Sequence, residues 1–275
     1  MQNIKSIFRN QSEIKKLISE PKKKSNLLDL QNALENSIAL NCDTLDNAAI
    51  LFSGGLDSSI IAKMVSEKKP VKLFVVGMKN SSAISSAEIS ADLLGLELEK
   101  IIVSKSDIPR AVDAVRSILG VISSMQIQIA VVEYFAFHAI AHAGFNSVFC
   151  GQGADELFLG YDSFRRTLAK DSYALVKKEQ NEKLINLWES NLYRDISVAK
   201  NFSIDLICPF LDLNFIKHAL TFPAEENLRG SDDLIRKHVL RQLAESIGLP
   251  KEIAQKKKRA MQYDSGFSKV VKKLL

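Results

Sequence analysis

An apolar run, Ala48-Ala49-Ile50-Leu51-Phe52, stops at Ser53-Gly54-Gly55. A stretch with helical spacing then starts near Asp57 and carries Ile60, Ile61, Met64 and Val65. A buried strand that feeds a glycine turn at the start of a helix constrains the fold more than any other feature of the chain. It asks for a parallel sheet with crossover helices. It also makes an anion cradle, because backbone N–H groups and the positive end of the helix dipole face the turn. Gly54 and Gly55 allow a tight bend and a close approach to a ligand. Ser53, Ser58 and Ser59 add hydroxyl donors. The spacing is neither Gly-x-x-x-x-Gly-Lys-Ser/Thr nor Gly-x-Gly-x-x-Gly, so the two commonest nucleotide loops are excluded.

Strand and helix signals alternate after that turn. Residues 71–76 are short and β-branched and predict a second strand; 83–94 predict a helix that stops at Gly95. Residues 96–103 predict a third strand, Asp107 a helix cap with Pro109 in the first turn, and 125–143 a long apolar helix. Residues 146–150 predict a fourth strand, which runs into Gly151-Gln152-Gly153. The expected fold is α/β: a parallel twisted sheet with helices on both faces, and a helical C-terminal part in which strand signals fade beyond Asp155. The helical patterns there run over 168–192, 212–220, 232–246 and 266–274. Residues 1–25 read as a polar, basic segment whose lysine run is solvated, and 27–40 as a helix. The domain expected is 26–275, with the sheet core at about 45–160 and the helical part at 161–275. Ligands in such sheets sit at the carboxyl ends of the strands, where both glycine turns fall.

Composition narrows the partners. A net charge of +5 is too weak to argue for nucleic acid by itself and suits a polyphosphate equally well. Three widely spaced cysteines, Cys42, Cys150 and Cys208, form neither a zinc set nor a disulfide framework. No apolar run has the length of a membrane span, and the first residues lack the apolar core of a signal peptide. The expected compartment is the cytoplasm. His138 and His142, four apart among apolar neighbours, read as packed or half-buried rather than as metal ligands, and Cys150 as a small buried residue.

The second glycine turn opens a helix that begins with Asp155 and Glu156. Acids there complement the helix dipole. Asp57 and Asp155 would both stand at carboxyl ends of parallel strands, and two carboxylates facing one polyphosphate are the usual protein share of a Mg²⁺ site.

Residues 53–58, together with Gly151 to Tyr161, resemble the synthetase domain of asparagine synthetases and the related β-lactam synthetases, within the PP-loop superfamily. The likeness continues in Cys208-Pro209-Phe210-Leu211-Asp212, in Lys237-His238-Val239-Leu240-Arg241 and in Leu249-Pro250-Lys251-Glu252-Ile253, then in Lys256-Lys257-Lys258 and Met261. It covers about 25–270 in order. The resemblance implies an adenine nucleotide alpha hydrolase-like fold and an ATP- and Mg²⁺-dependent ligase that adenylates a carboxylate, here aspartate by analogy, and then passes ammonia or an amine to it. It implies that Ser53, Gly54, Gly55 and Ser58 hold pyrophosphate, that Asp57 and Asp155 bind Mg²⁺, and that Leu51, Val76, Gly77 and Gly151 line the adenosine site. Lys258 is the favoured cation of the basic run and Lys237 a second one, although alone each lysine reads as a solvated surface residue.

Two departures stand out. The family's usual glutamate between the two glycines is Gln152, which hydrogen-bonds but carries no charge and accepts no proton. Typical asparagine synthetases begin with a catalytic cysteine and a glutaminase domain, whereas residue 2 here is Gln; the expectation is no glutaminase activity, with nitrogen from ammonia, another amine or a separate glutaminase or amine-donor subunit. A tRNA-modifying relative of the same loop family and a nucleotide-binding relative without turnover remain as alternatives.

Overall fold

The structure, a computed structural model, describes residues 11–20, 23–257 and 264–275. Five strands form one parallel sheet: β1 (Ala48–Leu51), β2 (Val71–Gly77), β3 (Glu97–Ile102), β4 (Ser147–Phe149) and β5 (Asp205–Ile207). Their order is β3-β2-β1-β4-β5. The chain builds outward from β1 to β3, then returns to add β4 on the other side of β1. The order therefore reverses between β1 and β4, and both glycine turns leave the sheet at that crevice.

Both faces are covered, as the sequence pattern asks. Ala48 and Ile50 of β1, and Leu73 and Val75 of β2, pack into one core with Leu34, Ile60, Ile61 and Leu240. The alternate residues Ala49, Phe74 and Val76 pack into the other, with Val115, Val131, Phe137 and Val198. This period of two is the strand pleat. The helix Leu27–Cys42 starts at a capping box, in which Asn26 accepts from Asp29 N–H and the Asp29 carboxylate accepts from Asn26 N–H.

Several expectations need correction. β5 was not foreseen. It is three residues long, too short for alternation to show, and it exists because Val148 and Phe149 pair with Leu206 and Ile207. The pattern over 168–192 resolves into the helices Asp162–Lys170 and Tyr173–Ile185 and a π turn at Trp188–Leu192, followed by the helix Tyr193–Asn201. The last helix of the basic motif begins at His238, because Arg236 and Lys237 both adopt left-handed backbone (φ 57° and 56°). Asp107 precedes the helix Ile108–Leu119 but accepts from Ser104 N–H and Ser104 Oγ instead of capping it. Within the basic N-terminal segment, Gln11–Ser19 is a helix that buries Ile14 and Leu17. No single described helix is long and apolar enough to cross a membrane; one pair, Ile108–Leu119 and Ser124–His142, reaches that length and composition together but is bent by 109°.

Candidate active site

The loop after β1 is built by its own serines. Ser53 N–H donates to Ser58 Oγ at 3.2 Å, the two hydroxyls lie 3.1 Å apart, and Gly55 N–H donates to Ser53 Oγ at 3.3 Å. Gly54 takes φ +66°, and a Cβ there would stand 2.4 Å from Ser86 O. Its carbonyl accepts from Ser90 Oγ (2.9 Å) and from Lys256 Nζ (3.0 Å), which also reaches Ser86 Oγ at 2.5 Å. Lys256 therefore fastens the C-terminal basic segment to the back of the loop.

The second turn presses against the first. A Cβ on Gly151 would fall 2.8 Å from Asp57 Cβ and 3.3 Å from Ser58 N. Gly153, at φ +97°, leaves the space filled by Leu211 Cδ2, so the Pro-Phe-Leu-Asp segment supports this turn from below. Asp212 ends that segment by capping the helix Leu213–Ala219 through Asn214 N–H and Phe215 N–H.

Asp57 and Asp155 meet at one point, which the ammonium of Lys237 occupies. Nζ lies 2.7 Å from both Asp57 oxygens and 2.5 Å from Asp155 Oδ1. Lys237 is 2 % exposed, so the surface reading of this residue is overturned. Burial pushes its pKa down from the ordinary lysine value, against the pull of the Asp57 charge. Its backbone is held by hydrogen bonds from both sides. Asp233 accepts from Ile235 N–H (2.9 Å) and Arg236 N–H (3.1 Å), and Arg241 donates to Arg236 O (2.7 Å) and Ile235 O (2.8 Å) and to Ala254 O. Gly160 completes the contact, since a Cβ there would lie 1.9 Å from Asp155 Oδ1 and 2.1 Å from Lys237 Cε.

A cavity of about 950 Å³ opens over these groups. Leu51, Ser53, Gly55, Asp57, Ser58, Val76, Gly151, Gln152, Asp155 and Lys237 all line it. Gly54 and Gly77 are not among its lining residues; a Cβ on Gly77 would meet Ser81 Oγ at 2.3 Å. Lys258 and Met261 lie outside the described residues, while Lys256 and Lys257 reach the cavity. Gln152 Nε2 is buried without a hydrogen-bond partner among the described residues.

The cavity lining also includes a cluster of Glu133, Arg194 and Asp195 that no sequence signal above singled out. Glu133 from the apolar helix Ser124–His142 accepts from Arg194 Nε at 3.3 Å, and Arg194 also pairs with Asp195 and donates to Gln126 Oε1. All three charged residues are buried. Burial, then the neighbouring Asp195 charge, raises the Glu133 carboxyl to about 8. The signal was present, because Glu133 is the one Asp, Glu, Lys or Arg within that helix. Nearby, buried Glu156 accepts from Tyr161 Oη (2.7 Å) and Asn191 Nδ2 (3.0 Å). His138 and His142 are exposed instead of buried, their rings tilted at 30° with centroids 4.1 Å apart, and His138 meets the Phe202 ring edge-on. Cys150 is buried, with its Sγ 3.4 Å from Cys208 Sγ.

The carboxylate pair fits Mg²⁺. No set of three or more His, Cys, Asp or Glu side chains suited to a metal occurs among the described residues. Mg²⁺ takes one or two carboxylates and completes its shell with phosphate and water, and the Lys237 ammonium shows that Asp57 and Asp155 already converge on one cation.

A parallel sheet whose switch point carries a Ser-Gly-Gly-x-Asp-Ser loop defines an α/β protein of the PP-loop type. The chain belongs to the asparagine synthase family, whose model matches residues 29–193 and 171–275. It is 33% identical over 274 residues to a putative glutamine-hydrolyzing asparagine synthetase of Methanocaldococcus jannaschii, a match that covers 89% of this chain and 50% of that protein. It is 30% identical to the glutamine-hydrolyzing asparagine synthetase of Gallus gallus (86% of this chain, 43% of that protein) and 29% identical to that of Homo sapiens (90% and 44%). The chain thus spans about half the length of the curated relatives it matches.

Proposed function

We propose that the chain is an ATP-dependent carbon–nitrogen ligase that adenylates a carboxylic acid, releases pyrophosphate and transfers ammonia or another amine to the activated acyl group. The observation that carries this reading is the convergence of Asp57 and Asp155 beside the loop at 53–58, at the switch point of the sheet. The loop's N–H and hydroxyl groups bind the triphosphate tail. Leu51, Val76, Gly77 and Gly151 are the residues proposed for the adenosine end; Asp57 and Asp155 would hold Mg²⁺, which would supply charge neutralisation at the phosphates.

Attack of the acid's carboxylate oxygen on the α-phosphorus forms the P–O bond of an acyl-adenylate and breaks the bond to the leaving pyrophosphate. Negative charge then grows on that leaving group. Lys237 supplies positive charge against it, and Lys258 of the basic segment is the second cation proposed for this role. Gln152, which lines the cavity with a buried amide nitrogen left without a partner among the described residues, orients the acid through that amide. The amine then attacks the acyl carbon and AMP departs. Aspartate is the acid that the family suggests, and a separate amine-donor or glutaminase subunit is one source of the nitrogen. Free, buried Cys42, Cys150 and Cys208 suit a reducing compartment and support a cytoplasmic site.

The test is ATP–pyrophosphate exchange with a panel of carboxylic acids, aspartate first. Exchange should require both Mg²⁺ and one acid and should fall at least ~100-fold in Asp57→Ala and Asp155→Ala. ATP binding without exchange across the whole panel would favour a nucleotide-binding protein without turnover.

A further inference from the structure

Both oxygens of Asp57 and one of Asp155 already accept from a single donor, Lys237 Nζ, at 2.5–2.7 Å. A magnesium ion on these carboxylates would need the same oxygens at about 2.0–2.1 Å. The ammonium and the metal therefore compete for one position. The backbone beneath Lys237 cannot supply the difference: Arg236 and Lys237 are both left-handed, and Asp233 and Arg241 tie the peptide groups around them. The side chain can, because it has four rotatable bonds and Gly160 presents no Cβ to it.

We propose that Lys237 is the resident counter-cation of the Asp57–Asp155 pair, and that a divalent metal displaces it efficiently only when a polyphosphate arrives to receive the ammonium. Two carboxylates and one ammonium carry one net negative charge. A metal entering alone would leave the buried ammonium without its acceptors, which is costly. A polyphosphate on the loop at 53–58 offers phosphate oxygens in exchange. Metal and polyphosphate are thereby coupled through one side chain, and the coupling is reciprocal. Lys237 then acts twice: it keeps the carboxylates paired at rest and moves onto the phosphates as they bind. The proposal rests on the ligase reading only in taking the anion to be a polyphosphate.

The probes are Mn²⁺, followed by electron paramagnetic resonance, and pyrophosphate. Wild type should bind Mn²⁺ alone weakly, and Lys237→Met should bind it alone about 10-fold more tightly or better. Adding Asp57→Asn to that variant should remove the gain. Equal affinity of folded wild type and Lys237→Met for Mn²⁺ alone overturns the proposal, as does Mn²⁺ binding that survives Asp57→Asn. Should Lys237→Met not fold, crystals of the wild type with Mn²⁺ and pyrophosphate decide. The metal's anomalous peak should then lie on Asp57 and Asp155 with Nζ withdrawn to phosphate. Nζ still bridging both carboxylates, or no metal on them, refutes it. None of these readouts needs turnover, so a protein that exchanges no pyrophosphate can still pass, and an active ligase can still fail.

Discussion

Gly160 shows how little room the site leaves at the scale of a residue. Its own backbone is not left-handed, so alanine is conformationally admissible there, yet the added methyl would overlap Asp155 and Lys237. Gly160→Ala should keep the fold and weaken pyrophosphate binding by about 10-fold or more, measured by calorimetry. Unchanged affinity would mean that Asp155 and Lys237 can part without consequence. Glu133 makes a different prediction. Its carboxyl titrates at about 8 in the fold and at an ordinary 4.5 when unfolded, so between those values the native state holds a proton that the unfolded chain releases. The sign follows: stability falls as pH rises through that window, and the loss is complete above about 8. Urea denaturation at a series of pH values should show this slope in the wild type and a flatter one in Glu133→Gln.

At the scale of elements, the first strand–turn–helix unit was legible because its signals are local. Apolar residues, glycines and a helix start follow one another within about a dozen positions, and each is satisfied by its neighbours. The 229–237 segment was not legible for the opposite reason. The pattern over 232–246 is helical, but Asp233 and Arg241 draw the backbone into a turn that lifts Lys237 into the cavity. Arg241 is the strap. Arg241→Met would leave the buried carbonyls of Arg236 and Ala254 and the half-buried carbonyl of Ile235 without this donor and should cost about 2–4 kcal/mol. It should also impair pyrophosphate binding in the protein that remains folded, which combined urea unfolding and calorimetry would separate. β5 escaped for want of length; a three-residue strand is chosen by its partner β4, not by its own pattern.

For the whole molecule, the sheet and the helical C-terminal part share one core. Leu184, Leu187, Leu192 and Leu240 pack with Ile50 and Leu73, and Trp188, the chain's one tryptophan, lies against that cluster. Tryptophan fluorescence and far-ultraviolet circular dichroism should therefore report one unfolding transition with a common midpoint. Two separated midpoints would show that the helical part unfolds by itself. The amino-acid order alone determined the parallel α/β class, the two glycine turns and the identity of the paired acids, because strand pleat, helix period and turn chemistry act over short stretches of chain. Only the tertiary structure decided that Lys237 is a buried partner of those acids rather than a surface charge. It alone also brought Glu133, Arg194 and Asp195 together in the lining of the same cavity. Those placements join residues 57, 155 and 237, and 133 and 194, and electrostatic pairing across such separations depends on distance in space, which no local pattern records.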